Sequence, residues 1–167
     1  MTTPGDYWRL GDDPGSRRFV TLADPRGDGF WFDGGGHLSE VIVAYETWGT
    51  LNADRSNAVL IEHALTGDSH AVGDAGPGHP TSGWWNGLIG PGLGIDTNEW
   101  YVVCANVLGG SQGTTGPSSS DRDGRERKRT SHTGVGLFSA QAKRRSMKAL
   151  VAASARAFFF HPARACA

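Results

Sequence analysis

The chain has 167 residues, 20% of them charged, with a formal net charge of −1 and a sequence pI near 6.6. That length sets one domain as the expectation and is enough to bury a core, but it is short for a large α/β enzyme, which commonly runs to about 200–250 residues. The near-neutral total excludes a uniformly basic nucleic-acid binder. With two cysteines, Cys104 and Cys166, it also excludes a disulfide-framed domain.

The charge is unevenly placed. Residues 1–120 hold 5 Lys and Arg against 14 Asp and Glu, whereas residues 121–167 hold 11 against 3. All six Trp and 22 of the 25 Gly lie in the first part, so the two parts are not one evenly built domain. The reading is a mobile lead-in at 1–28, a folded unit at 29–119 and a basic tail at 120–167 that is non-native in origin, disordered or partly helical. The first residues show no basic stretch followed by an apolar one, and no run reaches the roughly 18 apolar residues of a membrane helix, so the expected location is the cytoplasm, with no membrane partner.

Along the chain, residues 1–28 are polar and rich in Gly, Pro and Asp. A short apolar run at 29–32 (GFWF), a glycine turn at 33–36 and a β-branched and aromatic run at 38–45 predict a β-hairpin. Residues 47–57 read as a loop. Residues 58–61 (AVLI) are continuously apolar and predict a strand covered on both faces, as in a parallel sheet. After a long Gly- and Pro-rich stretch, residues 100–108 predict a second such strand, with Cys104 as a small core residue. Both strands run into glycine-bearing loops at their C-terminal ends, where open α/β sheets place their sites. The fold class is therefore α/β. Beyond residue 120 the chain is first charged and polar, then Ala-, Arg- and Lys-rich over 138–160, a composition compatible with helix.

Gly109-Gly110-Ser111-Gln112-Gly113 matches G-x-S-x-G after a strand, the pattern of a nucleophile elbow. An elbow requires a helix to begin at once. The next residues, Thr114 to Ser120, include Gly116, Pro117 and three serines, which are poor helix interior. Ser111 is read as part of a glycine-rich pocket loop; a short serine hydrolase built on Ser111 is the alternative. His63, His70 and His79, spaced by seven and nine residues, match no zinc-ligand spacing and are read as loop histidines, with no metal site assigned. Trp84 and Trp85 are read as packing residues of their loop. The basic tail raises a binding protein as a further alternative, but no aromatic residues interleave with its charges before Phe138, so nucleic acid is not the expected partner.

Residues 43–52 (VAYETWGTLN), 56–60 (SNAVL), 63–70 (HALTGDSH), 83–87 (GWWNG), 105–110 (ANVLGG) and 113–118 (GTTGPS), in this order and spacing, resemble homoserine O-acetyltransferase. The resemblance spans about residues 30–119. It implies the N-terminal part of an α/β-hydrolase fold, with an incomplete sheet. It also implies acetyl transfer from acetyl-CoA to the hydroxyl of homoserine in methionine biosynthesis, by a serine acyl-enzyme that a His–Asp pair serves. Homoserine succinyltransferases and serine acyltransferases share much of this framework and are alternatives. Acetyl-CoA enters as a substrate, no cofactor is implied, and the complete family member is expected to be a homodimer.

By the same resemblance, the backbone N–H of Leu65, in the loop after the third strand, belongs to the oxyanion hole. The family's serine lies in a Gly-Gly-Ser-Met-Gly-Gly elbow, with the aspartate and histidine further on. None of the three is found in these 167 residues, and the only later Ser-Met, Ser146-Met147, stands between Arg145 and Lys148. Where Ser111 stands the family usually has a cysteine. The resemblance ends abruptly after Ser119, where the charge also breaks. The expectation is a change of reading frame or a misplaced gene end near residue 119, and a marginal, aggregation-prone product with little or no transferase activity of its own.

Overall fold

The computed structural model describes Trp8 and residues 11–22, 30–31, 37–38, 40–64, 66–116 and 119. Leu65, the expected helix over 138–160 and the basic tail lie outside the described residues. The described residues form eight strands: β1 (Arg18–Leu22), β2 (Phe30–Trp31), β3 (His37–Leu38), β4 (Val41–Trp48), β5 (Ala58–Ile61), β6 (Ile89–Gly90), β7 (Ile95–Asp96) and β8 (Tyr101–Ala105). Among the described residues there is no helix, so the α/β expectation is met only by a β-rich unit with a mixed sheet.

The main sheet has the order β1-β4-β8-β5. β4 runs antiparallel to both β1 and β8, and β5 runs parallel to β8. β4 (VIVAYETW) and β8 (YVVCA) are dominated by β-branched and aromatic residues, which suit a pleated sheet covered on both sides. The period-2 alternation divides these residues between two cores. On one face Leu22, Val41, Val43, Tyr45, Tyr101, Val103 and Leu108 cluster. On the other, Ile61, Val102 and Cys104 pack with Ala71 and Ile89.

The strands expected at 58–61 and within 100–108 are β5 and β8, but β5, at the edge of the described sheet, is not covered on both faces: only Ile61 is buried and Ala58, Val59 and Leu60 are half-buried. The expected hairpin is present in shorter form: Phe30 pairs with Leu38 and Trp31 with His37 across the glycine turn. The long apolar run that was expected to be its second arm instead forms β4, in the middle of the main sheet. Its partner on one side is β1, from a segment read as mobile lead-in. Arg18 pairs with Tyr45, and the register continues to Leu22 and Val41. Trp8 is also docked: its backbone N–H donates to the Ser111 carbonyl at 3.1 Å, and its ring lies 5.1 Å from that of Phe19.

On the side of β4 that faces β8, the glycine-rich loop after β8 continues the pairing. The Ala44 N–H donates to Thr114 Oγ1 (2.9 Å), the Ile42 N–H to Thr115 Oγ1 (2.8 Å), and the Thr115 N–H to the Ile42 carbonyl (2.8 Å). Thr114 Oγ1 in turn donates to the Asn106 carbonyl at 2.9 Å. The two threonines thus satisfy strand groups that β8 is too short to reach.

Candidate functional site

The C-terminal ends of β5 and β8 lie side by side because the two strands are parallel and in register, Ile61 opposite Cys104. From β5 the chain enters the segment 62–70, and from β8 the segment 106–116. His63 joins them. Its Nδ1 lies 2.7 Å from the Ala64 carbonyl, and its Nε2 lies 3.1 Å from the Val107 backbone nitrogen. A carbonyl only accepts and an N–H only donates, so the ring is the Nδ1–H tautomer with a lone pair on Nε2. The Gly67 N–H closes a turn onto the same Ala64 carbonyl at 2.9 Å.

Beneath these loops is a buried polar cluster that spacing along the chain did not reveal. Glu46, in the middle of β4, is 1% exposed, and its partners come from the segment 66–79. Its Oε1 accepts from Ser69 Oγ at 3.0 Å and its Oε2 from His70 Nδ1 at 2.9 Å. The His70 ring stacks on that of His79, centroids 3.7 Å apart and 14° from parallel. His79 Nε2 accepts the Ser16 N–H at 3.0 Å and stands 3.8 Å from Glu46. Desolvation pushes the His79 pKa down to about 4; Arg17 and His70 add to the shift, outweighing Asp68 and Asp13. The three histidines read as loop residues are all buried; His70 hydrogen-bonds Glu46, and His79 stacks on His70.

Donor atoms of Glu46, His70 and His79 lie within 4.8 Å of one another, which raises a metal site. The geometry does not suit one. A tetrahedral ion sits about 2.0–2.1 Å from each imidazole nitrogen. Its bonds follow the in-plane lone pairs, which in two nearly parallel, stacked rings do not converge. The His79 Nε2 lone pair is also taken by Ser16. The arrangement acts as a polar clamp that fastens the loop 66–79 onto the sheet.

Arg17 completes the clamp from the N-terminal side. Its buried guanidinium donates to the Gly78 carbonyl at 2.6 Å and to Gln112 Oε1 at 3.1 Å, and lies 3.6 Å from the Asp68 carboxylate. Burial lowers its pKa, and Asp68 and Glu46 oppose the shift. Gly78 has φ +76°, and a Cβ there would meet the Asp13 carbonyl oxygen and the Gly15 nitrogen, each at 2.6 Å. Gly78→Ala is therefore expected to destabilise the protein by about 2 kcal/mol or more, through backbone strain and loss of the 13–17 contact. The shift of the urea midpoint measures it; a change within about 0.5 kcal/mol would show that the contact is not tight.

Cys104 is fully buried, and desolvation pushes its thiol up to about 12, so it is not a nucleophile at neutral pH. Ser111 is exposed; no hydrogen bond among the described residues reaches its hydroxyl, and turns and bends follow it rather than a helix. Trp84 and Trp85 pack on one another, centroids 4.9 Å apart, and the Trp84 indole N–H donates to the Asp68 carbonyl at 3.2 Å, while about 37% and 38% of the two residues stay exposed.

The sheet order and the loops at the ends of β5 and β8 place the chain among esterase and acyltransferase folds. The described structure superposes on esterase E22 with a TM-score of 0.55 and 35% identity, covering 66% of this chain and 31% of that one. It superposes on homoserine O-acetyltransferase from Bacillus anthracis with a TM-score of 0.54 and 38% identity, covering 66% and 30%. In sequence, 118 residues are 62% identical to homoserine O-acetyltransferase of Thermobifida fusca (strain YX), covering 71% of this chain and 30% of that protein. Another 57% identity extends over 119 residues of the Leifsonia xyli subsp. xyli homologue, covering 71% and 28%. No family model matches the chain. The chain is thus a close homologue of homoserine O-acetyltransferases over a segment that spans about 30% of the length of the relatives it matches. Among the described residues, no helix is long and apolar enough to cross a membrane.

Proposed function

We propose that residues 29–119 are the N-terminal part of the α/β-hydrolase fold of a homoserine O-acetyltransferase, and that they supply one wall of its acyl-transfer site. The observation that carries this reading is the pair of parallel strands β5 and β8, whose adjacent C-terminal loops hold the segments 63–70 and 105–118 on which the resemblance rests. In this reading acetyl-CoA donates the acyl group and homoserine accepts it. Leu65 is assigned, by the resemblance, the role of backbone donor to the oxyanion of the tetrahedral intermediates. The nucleophilic serine and its His–Asp pair belong to the portion that corresponds to the rest of the relatives' length. No residue of this chain is assigned to those roles. The 167-residue chain by itself has no transferase turnover, and the complete enzyme works as a homodimer in the cytoplasm.

The test is a chimera in which residues 1–119 replace the matched segment of the Thermobifida fusca relative. It is expected to acetylate homoserine at a rate near that of the parent, with acetyl-CoA preferred over succinyl-CoA. A folded chimera that is inactive, or that prefers succinyl-CoA, would overturn the reading. Within the chimera, Leu65→Pro removes the backbone donor and is expected to lower kcat by about 100–1,000-fold. Leu65→Ala keeps the N–H and should stay within about threefold of the parent, because only the side chain is lost. Equal losses in both variants would place the side chain, not the backbone, in the role.

A further inference from the structure

His63 hydrogen-bonds both loops at the C-terminal ends of β5 and β8, immediately beyond the two strands. It is 8% exposed, so water does not replace its partners. Its two bonds have different work. The Nδ1–H shares the Ala64 carbonyl with the Gly67 N–H, which fixes the turn 64–67 from within. The Nε2 lone pair receives the Val107 N–H, which ties that turn to the loop after β8.

The Val107 carbonyl then accepts the Gly110 N–H at 2.9 Å, and the Asn106 N–H donates to the Ala44 carbonyl at 2.8 Å. The loop that His63 grips is thus itself anchored to β4. A Cβ at Gly67 would stand 3.2 Å from the His63 Cβ, so the turn is packed directly against the ring's base. Only a side chain with a donor and an acceptor about one ring apart can make both bonds, and a neutral imidazole is such a group.

We propose that His63 is a positioning residue: as the neutral Nδ1–H tautomer it ties Ala64, and through it Gly67, to the loop after β8, and so holds in place the segment to which the proposed function assigns the oxyanion donor. The inference rests on the acyltransferase reading only for its catalytic consequence; the tether itself concerns this chain alone. An oxyanion donor works by being fixed before the charge develops. Loosening the turn therefore lowers kcat and leaves substrate affinity nearly unchanged.

Two measurements test it. In the full 167-residue chain, nitrogen chemical shifts of the His63 ring should report a protonated Nδ1 and an unprotonated Nε2, and the amides of Gly67 and Val107 should exchange slowly with solvent. His63→Phe keeps the bulk and loses both bonds, and both amides should then exchange at least about tenfold faster, as expected when an opening that the bonds suppress becomes easier. His63→Gln places an oxygen near Nε2 and should restore protection at Val107. Unchanged exchange in His63→Phe, or the opposite tautomer, would overturn the proposal.

In the chimera, His63→Phe should lower kcat by about 10–100-fold, less than removal of the donor itself, with KM changed by no more than about threefold, and His63→Gln should recover part of that loss. A loss confined to KM, or no recovery by Gln, would overturn the positioning role. An inactive parent chimera would instead refute the acyltransferase reading, and the exchange measurement would still decide the tether.

Discussion

Glu46→Ala is expected to cost about 3–5 kcal/mol at neutral pH, since it leaves two buried donors without acceptors at about 1–3 kcal/mol each. Against a typical total of about 5–15 kcal/mol for a folded domain, that loss comes close to unfolding the chain. The reason is local. Glu46 is 1% exposed, and both of its oxygens are engaged, by Ser69 and by His70. Truncation leaves a buried hydroxyl and a buried imidazole N–H without acceptors, and opens a cavity between β4 and the loop 66–79. Among the described residues the His70 Nε2 has no hydrogen-bond partner.

Glu46→Gln keeps the volume and one acceptor. It should cost less, about 1–2 kcal/mol, as one bond of the pair is lost or reversed. Urea unfolding at pH 7 distinguishes these outcomes through the midpoint, with the slope unchanged. An alanine variant within about 1 kcal/mol of the parent would mean that Glu46 is not the centre of the clamp.

The second large effect is on acid stability. The folded protein holds the His79 pKa near 4, below the ordinary 6.5, because the ring is buried and faces Arg17 and His70, and the acids Asp68 and Asp13 do not offset this. The unfolded chain therefore binds a proton at this site at a pH where the folded protein does not. Stability at this group is complete above about pH 6.5 and is lost as pH falls toward about 4. Structurally, a proton on Nε2 removes the lone pair that accepts the Ser16 N–H and places a cation against the His70 ring.

After allowance for screening by solvent, the loss between pH 7 and 4.5 is expected to be about 1–2 kcal/mol. His79→Gln retains an acceptor near Nε2 and does not titrate. Its urea midpoint should fall less steeply over this range by that amount. The carboxylates titrate in both proteins and cancel in the comparison. Parallel curves for the two would show that His79 is free to protonate in the fold.

These effects concentrate where the sequence is least legible. Apolar runs announce the strands of a parallel pair, which need no alternation; hence β5 and β8 are readable at 58–61 and within 100–108. β1 is not. Its five residues, RFVTL, begin with arginine, carry an exposed Phe19, and sit in a Gly- and Asp-rich context that reads as loop. Its strand character comes from pairing with β4 rather than from local preference.

The cluster was hidden for a different reason. Glu46 lies 24 residues from His70, and His79 nine further on, so the group is made by a loop folding back on a sheet, not by spacing on one element. One signal was available. In VIVAYETW a carboxylate occupies a strand otherwise almost wholly apolar, and a buried carboxylate must find partners. Glycine-rich segments, by contrast, showed where the loops are but not what they hold; the threonines that complete the edge of β4 look like ordinary loop residues until the strand beside them is known to be too short.

The motif around Ser111 illustrates the limit of short patterns. It follows a strand, as an elbow must, yet it continues into turns that pair with β4 instead of into a helix. Among the described residues no side chain hydrogen-bonds the serine hydroxyl, and its carbonyl accepts the Trp8 N–H. The chemistry proposed for the complete fold is therefore assigned a nucleophile other than Ser111.

The most direct test of that account is the release of free thiol from acetyl-CoA by the purified 167-residue chain, with and without homoserine. The account predicts no release above the protein-free background under either condition. Homoserine-dependent turnover near 1 s⁻¹ or above, within the ordinary enzyme range of about 1–1,000 s⁻¹, would contradict it and would place a working nucleophile within this chain.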